Sequence, residues 1–504
     1  MDAFFAAVEQ ASKPSLRGKP VVVGGLGPRG VVSTASYEAR VFGVHSAMPM
    51  AQARRRCPNA AYLTPRFTLY RQVSETVMEL LGRLSPLVEP LSLDEAFIDL
   101  EAGGAVAADA SASEAEAVGE RLRESIREAT GLSGSVGLAG SKMLAKIASE
   151  EAKPDGLFLI LPGTERELLA PMSVRTLPGV GPATAEVLRR SGITTVGHTA
   201  EAGEAELLRL LGKAHGASLY AMANGWDDRP VVAERDAKSV SVEDTFDVDL
   251  TDRAQVQVQV ARLADRCVER LRAAGRSGRT VVIKVRSYDF STLTRSETLR
   301  GPTDDPGVVR EAAARLIDTV DTTAGVRLLG VGVSGLADFT QEDLFAQAQA
   351  QAEATEAAAA AEAAEAAAAK GQEADGGATR TSTAGAGPAE PLADRRWLPG
   401  RDVRHVRFGP GWVQGSGLGR VTVRFEDSGS PPGRVRTFSV DDPELEGTEP
   451  PLLAAMERAV GAGQLPEPAI RPKSQSGAAA GEGERAGPPG EEGPPSAAAG
   501  TSSP

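Results

Sequence analysis

Apolar and polar positions divide the chain into stretches of different period. Residues 1 to about 340 alternate short apolar runs with Gly and Pro, the pattern of a folded body of mixed α and β elements. The runs 19–25 (KPVVVGG) and 30–35 (GVVSTA) predict strands, 36–44 (SYEARVFGV) opens a helix, and 67–84 has the period of an amphipathic helix. Residues 88–101 (VEPLSLDEAFIDLE) predict two strands across a turn, 114–129 a helix and 133–139 a strand. After Pro162 the chain turns helical, and after Ser239 the predicted order is strand, helix, strand, strand, helix, strand. Residues 346–390 are rich in Ala and Glu with almost no large apolar side chain, which predicts a solvated helix running into a flexible tether. Aromatic and β-branched residues return over 402–440 between Gly turns, predicting a small SH3- or Tudor-like barrel. From 465 onward the Gly/Pro/Ala/Glu/Ser composition predicts disorder.

A chain of 504 residues is long enough for several domains and a sizeable core. Its net charge of −13 argues at first against a nucleic-acid partner. The charge is unevenly spread, however. Residues 253–300 hold eleven Lys and Arg against four acids, a net of +7, and 395–436 hold nine Arg against three acids, a net of +6. A local basic face outweighs the total for phosphate binding, although such a run is also the ordinary composition of a solvated helix face. The two cysteines, Cys57 and Cys267, exclude a disulfide scaffold or zinc cluster. No run of about 18 apolar residues and no basic-then-apolar leader is present, so the sequence predicts a soluble, cytoplasmic chain with no membrane partner.

Four motifs carry candidate chemistry. In LSLDEAFIDL (91–100), Asp94 and Glu95 are adjacent acids between apolar residues. A tight turn is needed to bring both to one site, and burying both calls for a cation such as Mg²⁺, which favours carboxylate and phosphate oxygens; an exposed acidic hairpin is the plain alternative. In STASYEARVFGV (33–44), Tyr37 and Arg40 share a helical face and can grip a triphosphate, or simply pack on a surface helix. In residues 135–156, Lys142, Lys146 and Lys153 follow a strand, with Lys153 restrained by Pro154; a solvated helix end reads the same way. Residues 177–193 (LPGVGPATAEVLRRSGI) have the form of a helix-hairpin-helix, in which Gly179 and Gly181 let backbone approach a phosphate, or of a plain helical corner. A looser copy, LLGKAHG, occupies 210–216.

These motifs together, with MDAFFAAVEQ, LRGKPVVVGG, GSKMLAKIAS and AKPDG, resemble the Y-family translesion DNA polymerases over residues 1 to about 336. The resemblance implies an α+β multidomain right-hand polymerase. Palm is expected at 1–3 and 66–162, fingers at 4–65, a thumb with helix-hairpin-helix at 163–232 and a little finger at 238–337. An extra barrel-like module at 393–445 follows a linker at 347–392, and a disordered tail spans 465–504. It implies a low-fidelity DNA-directed DNA polymerase that extends primers past lesions by two-metal phosphoryl transfer, with two Mg²⁺ per site. The expected partners are primer-template DNA, dNTPs and a sliding clamp, and the expected state is a monomer. Asp94 and Glu95 would be catalytic and metal-binding, with the Met1 carbonyl as a further ligand. Thr34, Tyr37, Arg40 and Lys153 would hold the nucleotide, and Phe5 would be the steric gate under the sugar. Gly179, Gly181, Arg279, Lys284 and Arg286 would contact DNA. QEDLF (341–345) fits a clamp-binding peptide through Gln341, Leu344 and Phe345.

Two departures stand against this pattern. The family's first acid precedes the methionine of M-D-A-F-F, where this sequence begins, and Asp2 is the neighbouring acid instead. The expectation is a start codon placed too late, with polymerase activity provided that the upstream Asp is restored. The alternative is a catalytically impaired DNA- and clamp-binding paralogue lacking that ligand. The second departure is Ser141, where Asn is common.

Overall fold

The computed structural model describes residues 1–107, 109–233, 236–338 and 397–463. The docking peptide with Gln341, Leu344 and Phe345, the 347–392 linker and the 465–504 tail lie outside the described residues.

The first element, helix α1 (Phe4–Ser12), buries Phe4, Ala6, Val8 and Glu9. Strands β1 (Val21–Gly24), β2 (Val32–Ala35) and β3 (Ala61–Leu63) form a sheet in the order β2-β1-β3. Every residue of β1 is buried because both its faces are covered. Val22 packs with Val32, Met48 and Met50, whereas Val21 and Val23 pack with Ala6, Leu16 and Trp412. The helix expected over 36–44 is a single turn, α2 (Tyr37–Arg40), capped by Ser36 and followed by Gly43 at φ 74°. Helix α3 (Met50–Arg56) completes this part.

Helices α4 (Phe67–Gly82) and α5 (Ala112–Thr130) back two small ladders. One is antiparallel, β4 (Val88–Pro90) with β5 (Ala96–Ile98). The other is parallel, β6 (Val136–Leu138) with β7 (Leu157–Leu159), linked by α6 (Lys142–Glu151). Ser141 accepts the Leu144 N–H as N-cap of α6, so the serine does the local work open to an asparagine there. Helices α7 (Glu165–Leu169), α8 (Pro182–Arg190), α9 (Val196–Leu211) and α10 (Lys213–Ala223) follow.

The strand–helix order expected after Ser239 appears as β8 (Ser239–Leu250), α11 (Arg253–Ala273), β9 (Arg276–Ser287), β10 (Thr292–Thr303), α12 (Pro306–Asp318) and β11 (Val326–Asp338). The sheet runs β10-β9-β11-β8. Val281, Ile283 and Val285 point into the core shared with Val260, Leu263 and Ala312 of the two helices.

The last part is an antiparallel sheet of β12 (Asp402–His405), β13 (Gly409–Gly417), β14 (Arg420–Phe425), β15 (Arg434–Ser439) and β16 (Leu445–Gly447), in the order β15-β14-β13-β12-β16. Helix α13 (Ala454–Gly461) follows, so the module runs past the expected end at 445. Trp397, Val403, Val413, Val421 and Val423 form its core. The module is not a free body on a tether. Leu453 and Met456 pack with Phe4, Val8, Tyr70 and Leu132, and Trp412 packs against β1.

A buried ionic cluster fastens it. Arg66 donates from Nε to Glu9 Oε1 at 2.9 Å and from Nη1 to both oxygens of Asp402 at 2.9 Å. Lys13 Nζ lies 2.5 Å from Glu9 Oε2, and the Tyr70 hydroxyl donates to Glu9 Oε1 at 2.7 Å. Burial opposes the Glu9 charge, but Arg66 and Lys13 outweigh it and hold the carboxyl at about 2, below its usual 4.5. Because the folded value is the depressed one, the stability from Glu9 is full above about pH 4.5 and drains as pH falls toward about 2. Glu9→Gln is therefore expected to lower the melting temperature at neutral pH. Its deficit against the native chain should narrow between about pH 5 and about pH 3 in a melting series.

Candidate active site

The turn between β4 and β5 brings Asp94 and Glu95 to one place, as the sequence requires. Leu91 and Ser92 both donate their N–H to the Glu95 carbonyl, at 2.8 and 3.2 Å, which folds the acids back on themselves. Asp94 and Glu95 line a cavity of about 700 Å³ together with Met1, Lys146, Lys153 and apolar residues of α4, α5, β5 and β6. Ser92 Oγ donates to Asp94 Oδ1 at 2.8 Å. Met1 reaches the site through its ammonium group, which donates to the Asp94 carbonyl at 2.7 Å. Among the described residues no group of three or more His, Cys, Asp or Glu is arranged to hold a metal ion. The pair Asp94 and Glu95 supplies hard carboxylate oxygens of the kind Mg²⁺ takes, to be completed by phosphate oxygens.

The lysines of 142–153 separate by role. Lys142 is buried and pairs with Glu89 at 2.5 Å, away from the acids of the turn. Lys146 donates to Glu95 at 2.7 Å and to Glu150 at 2.8 Å, and Lys153 also donates to Glu150 at 2.8 Å. Lys153 lies 3.9 Å from Glu95. Half-burial works against the Lys146 charge, yet its hydrogen bonds to Glu150 and Glu95 prevail and raise its pKa. The same ion pairs overcome desolvation of Glu150 and lower its pKa. Sequence reasoning named Lys146 without giving it a role; its spacing of four from Lys142 and from Glu150 was the available signal.

Tyr37 and Arg40 come together, with the guanidinium 4.6 Å from the ring centre. The Tyr37 hydroxyl is buried with no hydrogen-bond partner, and burial, then the Asp2 charge, raise its pKa. Thr34 is half-buried on β2. Phe5 stacks on Tyr70 with ring centres 4.3 Å apart at 11°, and meets Phe67 edge-on. Phe4, beside it, is buried in the core.

Asp2 has a task that sequence reasoning did not assign. It is 3% exposed, accepts from Ser135 Oγ at 2.8 Å, and accepts the Asp155 N–H at 2.9 Å. Arg123 and Arg127 hold the Asp155 carboxylate from the other side, at 2.8 and 2.6 Å. The turn that carries Lys153 is thus pinned from both sides.

Gly179 adopts φ 83°, a conformation open to glycine, and Gly181 caps the start of α8 with open space beside it. The looser copy is also a glycine hairpin, with Gly212 at φ 83° between α9 and α10. Lys284 and Arg286 share the face of β9 that the helices leave uncovered, in register with Thr294 and Thr292. Arg279 is exposed near the start of β9, where Ser277 and Gly278 are both buried, and its Nε donates to the Leu299 carbonyl at 3.0 Å. Lys284 reaches across Gly330 to pair with Glu243 at 2.9 Å.

Residues 1–150 match the impB/mucB/samB family, and residues 237–347 match that family's C-terminal domain. The chain belongs to this family, the Y-family DNA polymerases, and is a DNA-directed DNA polymerase. A DNA polymerase IV of Streptomyces coelicolor is 70% identical over 481 residues, covering 95% of this chain and 96% of the relative. A DNA polymerase IV of Corynebacterium diphtheriae is 40% identical, covering 89% of this chain and 96% of the relative. Among solved structures, a Y-family DNA polymerase chimera superposes with a TM-score of 0.61 at 26% identity, covering 67% of this chain and 98% of that one. Among the described residues no helix is long and apolar enough to cross a membrane.

Asp2→Ala is expected to cost about 1 kcal/mol by removing the acceptor of the half-buried Asp155 N–H and leaving the Ser135 hydroxyl only its longer bond to the Ala152 carbonyl. Hydrogen exchange at Asp155 should speed up, and an unchanged rate there would mean that the two arginines hold the turn unaided.

Proposed function

We propose that this chain performs template-directed extension of a primer past lesions, with Asp94 and Glu95 at the primer end and Tyr37, Arg40 and Lys153 on the incoming triphosphate. The observation that carries the reading is the convergence of Asp94, Glu95, Lys146 and Lys153 on one cavity wall, with the adjacent carboxylates folded back by their turn. An entering triphosphate would compete with Glu150 for Lys153, whose ammonium serves as a movable point charge. The Tyr37 hydroxyl offers a donor and Arg40 a forked one. Phe5, held flat on Tyr70, is read as the ring that leaves no room for a ribose 2′-hydroxyl. A divalent cation held by Asp94 and Glu95 would lower the pKa of the primer 3′-hydroxyl and stabilise the departing pyrophosphate. The hairpins at Gly179 and Gly212 would hold backbone phosphates of the duplex.

The uncovered face of the 239–338 sheet is read as the duplex-facing surface. Besides Lys284 and Arg286 it presents Thr292, Thr294, Ser296 and Gly332, small side chains that let a sugar–phosphate backbone come close without reading its sequence. Segment 341–345 is read as the clamp-docking peptide.

Primer extension tests the reading. The native chain should extend and Asp94→Ala should lose extension by a factor of about 10³ or more; equal extension by both proteins would overturn the role given to Asp94. In the same assay, Leu344→Ala with Phe345→Ala should remove only the stimulation given by a sliding clamp.

Lys284→Ala with Arg286→Ala should weaken primer-template binding. It should also reduce the slope of log affinity against log salt by about 1.8, since each lost phosphate contact removes about 0.9. An unchanged slope would show that this sheet face looks away from DNA.

A further inference from the structure

We propose that the C-terminal module, residues 397–463, is a fixed buttress that sets the position of Phe5, and through it how strongly the site rejects a ribose 2′-hydroxyl. The proposal rests on the reading of Phe5 as the sugar gate.

Charge is the first argument. Inside the joint, α1 and the start of α4 bury Lys13 and Arg66 against a single acid, Glu9. Once the module covers the joint both cations are taken out of water. The module supplies the second negative charge as Asp402, at 2.9 Å from Arg66, and places the Trp412 ring 5.6 Å from the Lys13 ammonium. A buried cation left short of its partner is strongly unfavourable, so this pairing fixes how the module seats on α1 and α4.

Contact is the second argument. An unbroken series runs from the module to the gate: Asp402 to Arg66, Arg66 to Glu9, Glu9 to the Tyr70 hydroxyl, and the Tyr70 ring onto Phe5 at 4.3 Å. A parallel apolar series joins the same ends. Leu453 and Met456 of the module, each 1% exposed, pack in one cluster with Phe4, Tyr70 and Phe5. Trp412 shares a second cluster with Phe5, Ala6 and Val23. Phe5 therefore stands on a support whose far side belongs to the module.

Further fastenings fix the angle of the joint. Glu426 accepts from Ser15 Oγ at 2.5 Å and from Trp412 Nε1 at 2.9 Å, and Thr64 donates both N–H and hydroxyl to the Pro399 carbonyl. A basic module on a tether needs none of these. Its acids Asp402 and Glu426 are spent on the joint rather than left to face a partner.

The test compares single-nucleotide insertion of a dNTP and of the matching rNTP by the full chain. Asp402→Asn, which keeps the shape and removes the charge, is expected to raise relative ribonucleotide use about tenfold while deoxynucleotide kcat stays near native. Met456→Ala should act in the same direction. Asp402→Glu should return the native ratio, and Asp441→Asn, an exposed acid of the same module, should leave it unchanged. Equal loss of both nucleotides would mean a general structural role and overturn the proposal. So would a native ratio in Asp402→Asn alongside a relaxed ratio in Phe5→Ala. No relaxation in Phe5→Ala would instead remove the gate reading on which the proposal stands. Hydrogen exchange gives a readout free of activity: Asp402→Asn should speed exchange over Phe4–Val8, and native protection there would also overturn the buttress.

Discussion

One guanidinium, that of Arg66, joins three parts of this molecule. It is buried between Glu9 of α1 and Asp402 of the C-terminal sheet, and its Nη2 donates to the Ser12 hydroxyl. Removing one member of such a buried set costs about 3–5 kcal/mol, because the remaining charge stays buried and unpaired. A typical domain has only about 5–15 kcal/mol in total, so the joint cannot open without a large cost. Helix α1, helix α4 and the C-terminal module are in this respect one body.

Helix α1 carries Phe5 and Glu9 one turn apart on one face: Glu9 enters the joint and takes the Tyr70 hydroxyl, and Phe5 lies on the Tyr70 ring with Phe67 edge-on. Residue 2 meanwhile anchors the turn of Lys153. A helix of nine residues is too short to be stable alone, so its position is set by what packs on it. The position of Phe5 is therefore set by the residues packed on α1, those of the C-terminal module among them.

The charged groups of the site are matched among themselves. Lys146 bridges Glu95 and Glu150, and Glu150 also takes Lys153. Half-exposed pairs of this kind are weak enough to exchange partners, unlike the buried joint. Strong pairing behind the site and labile pairing within it suit an enzyme whose substrate carries phosphate charge.

The sequence by itself determined the local elements and the family. Periodicity located α4, α5, β1 and the alternating elements of 239–338, because amphipathic spacing survives without knowledge of the fold. A turn at Asp94 and Glu95 was legible because adjacent acids on one extended strand would point to opposite faces. The shortness of α2 was not legible, since the apolar Val41 and Phe42 continue the pattern past its end at Arg40. The position of the C-terminal module was decided by tertiary structure alone. Arg66 and Asp402 are 336 residues apart, and neither shows in its own segment that the other will neutralise it. The same holds for Asp2 and Asp155, whose bond closes only when α1 packs against the turn after α6. Local pattern encodes which side chains are to be buried; which partner each meets is fixed by the packing of elements far apart in the chain.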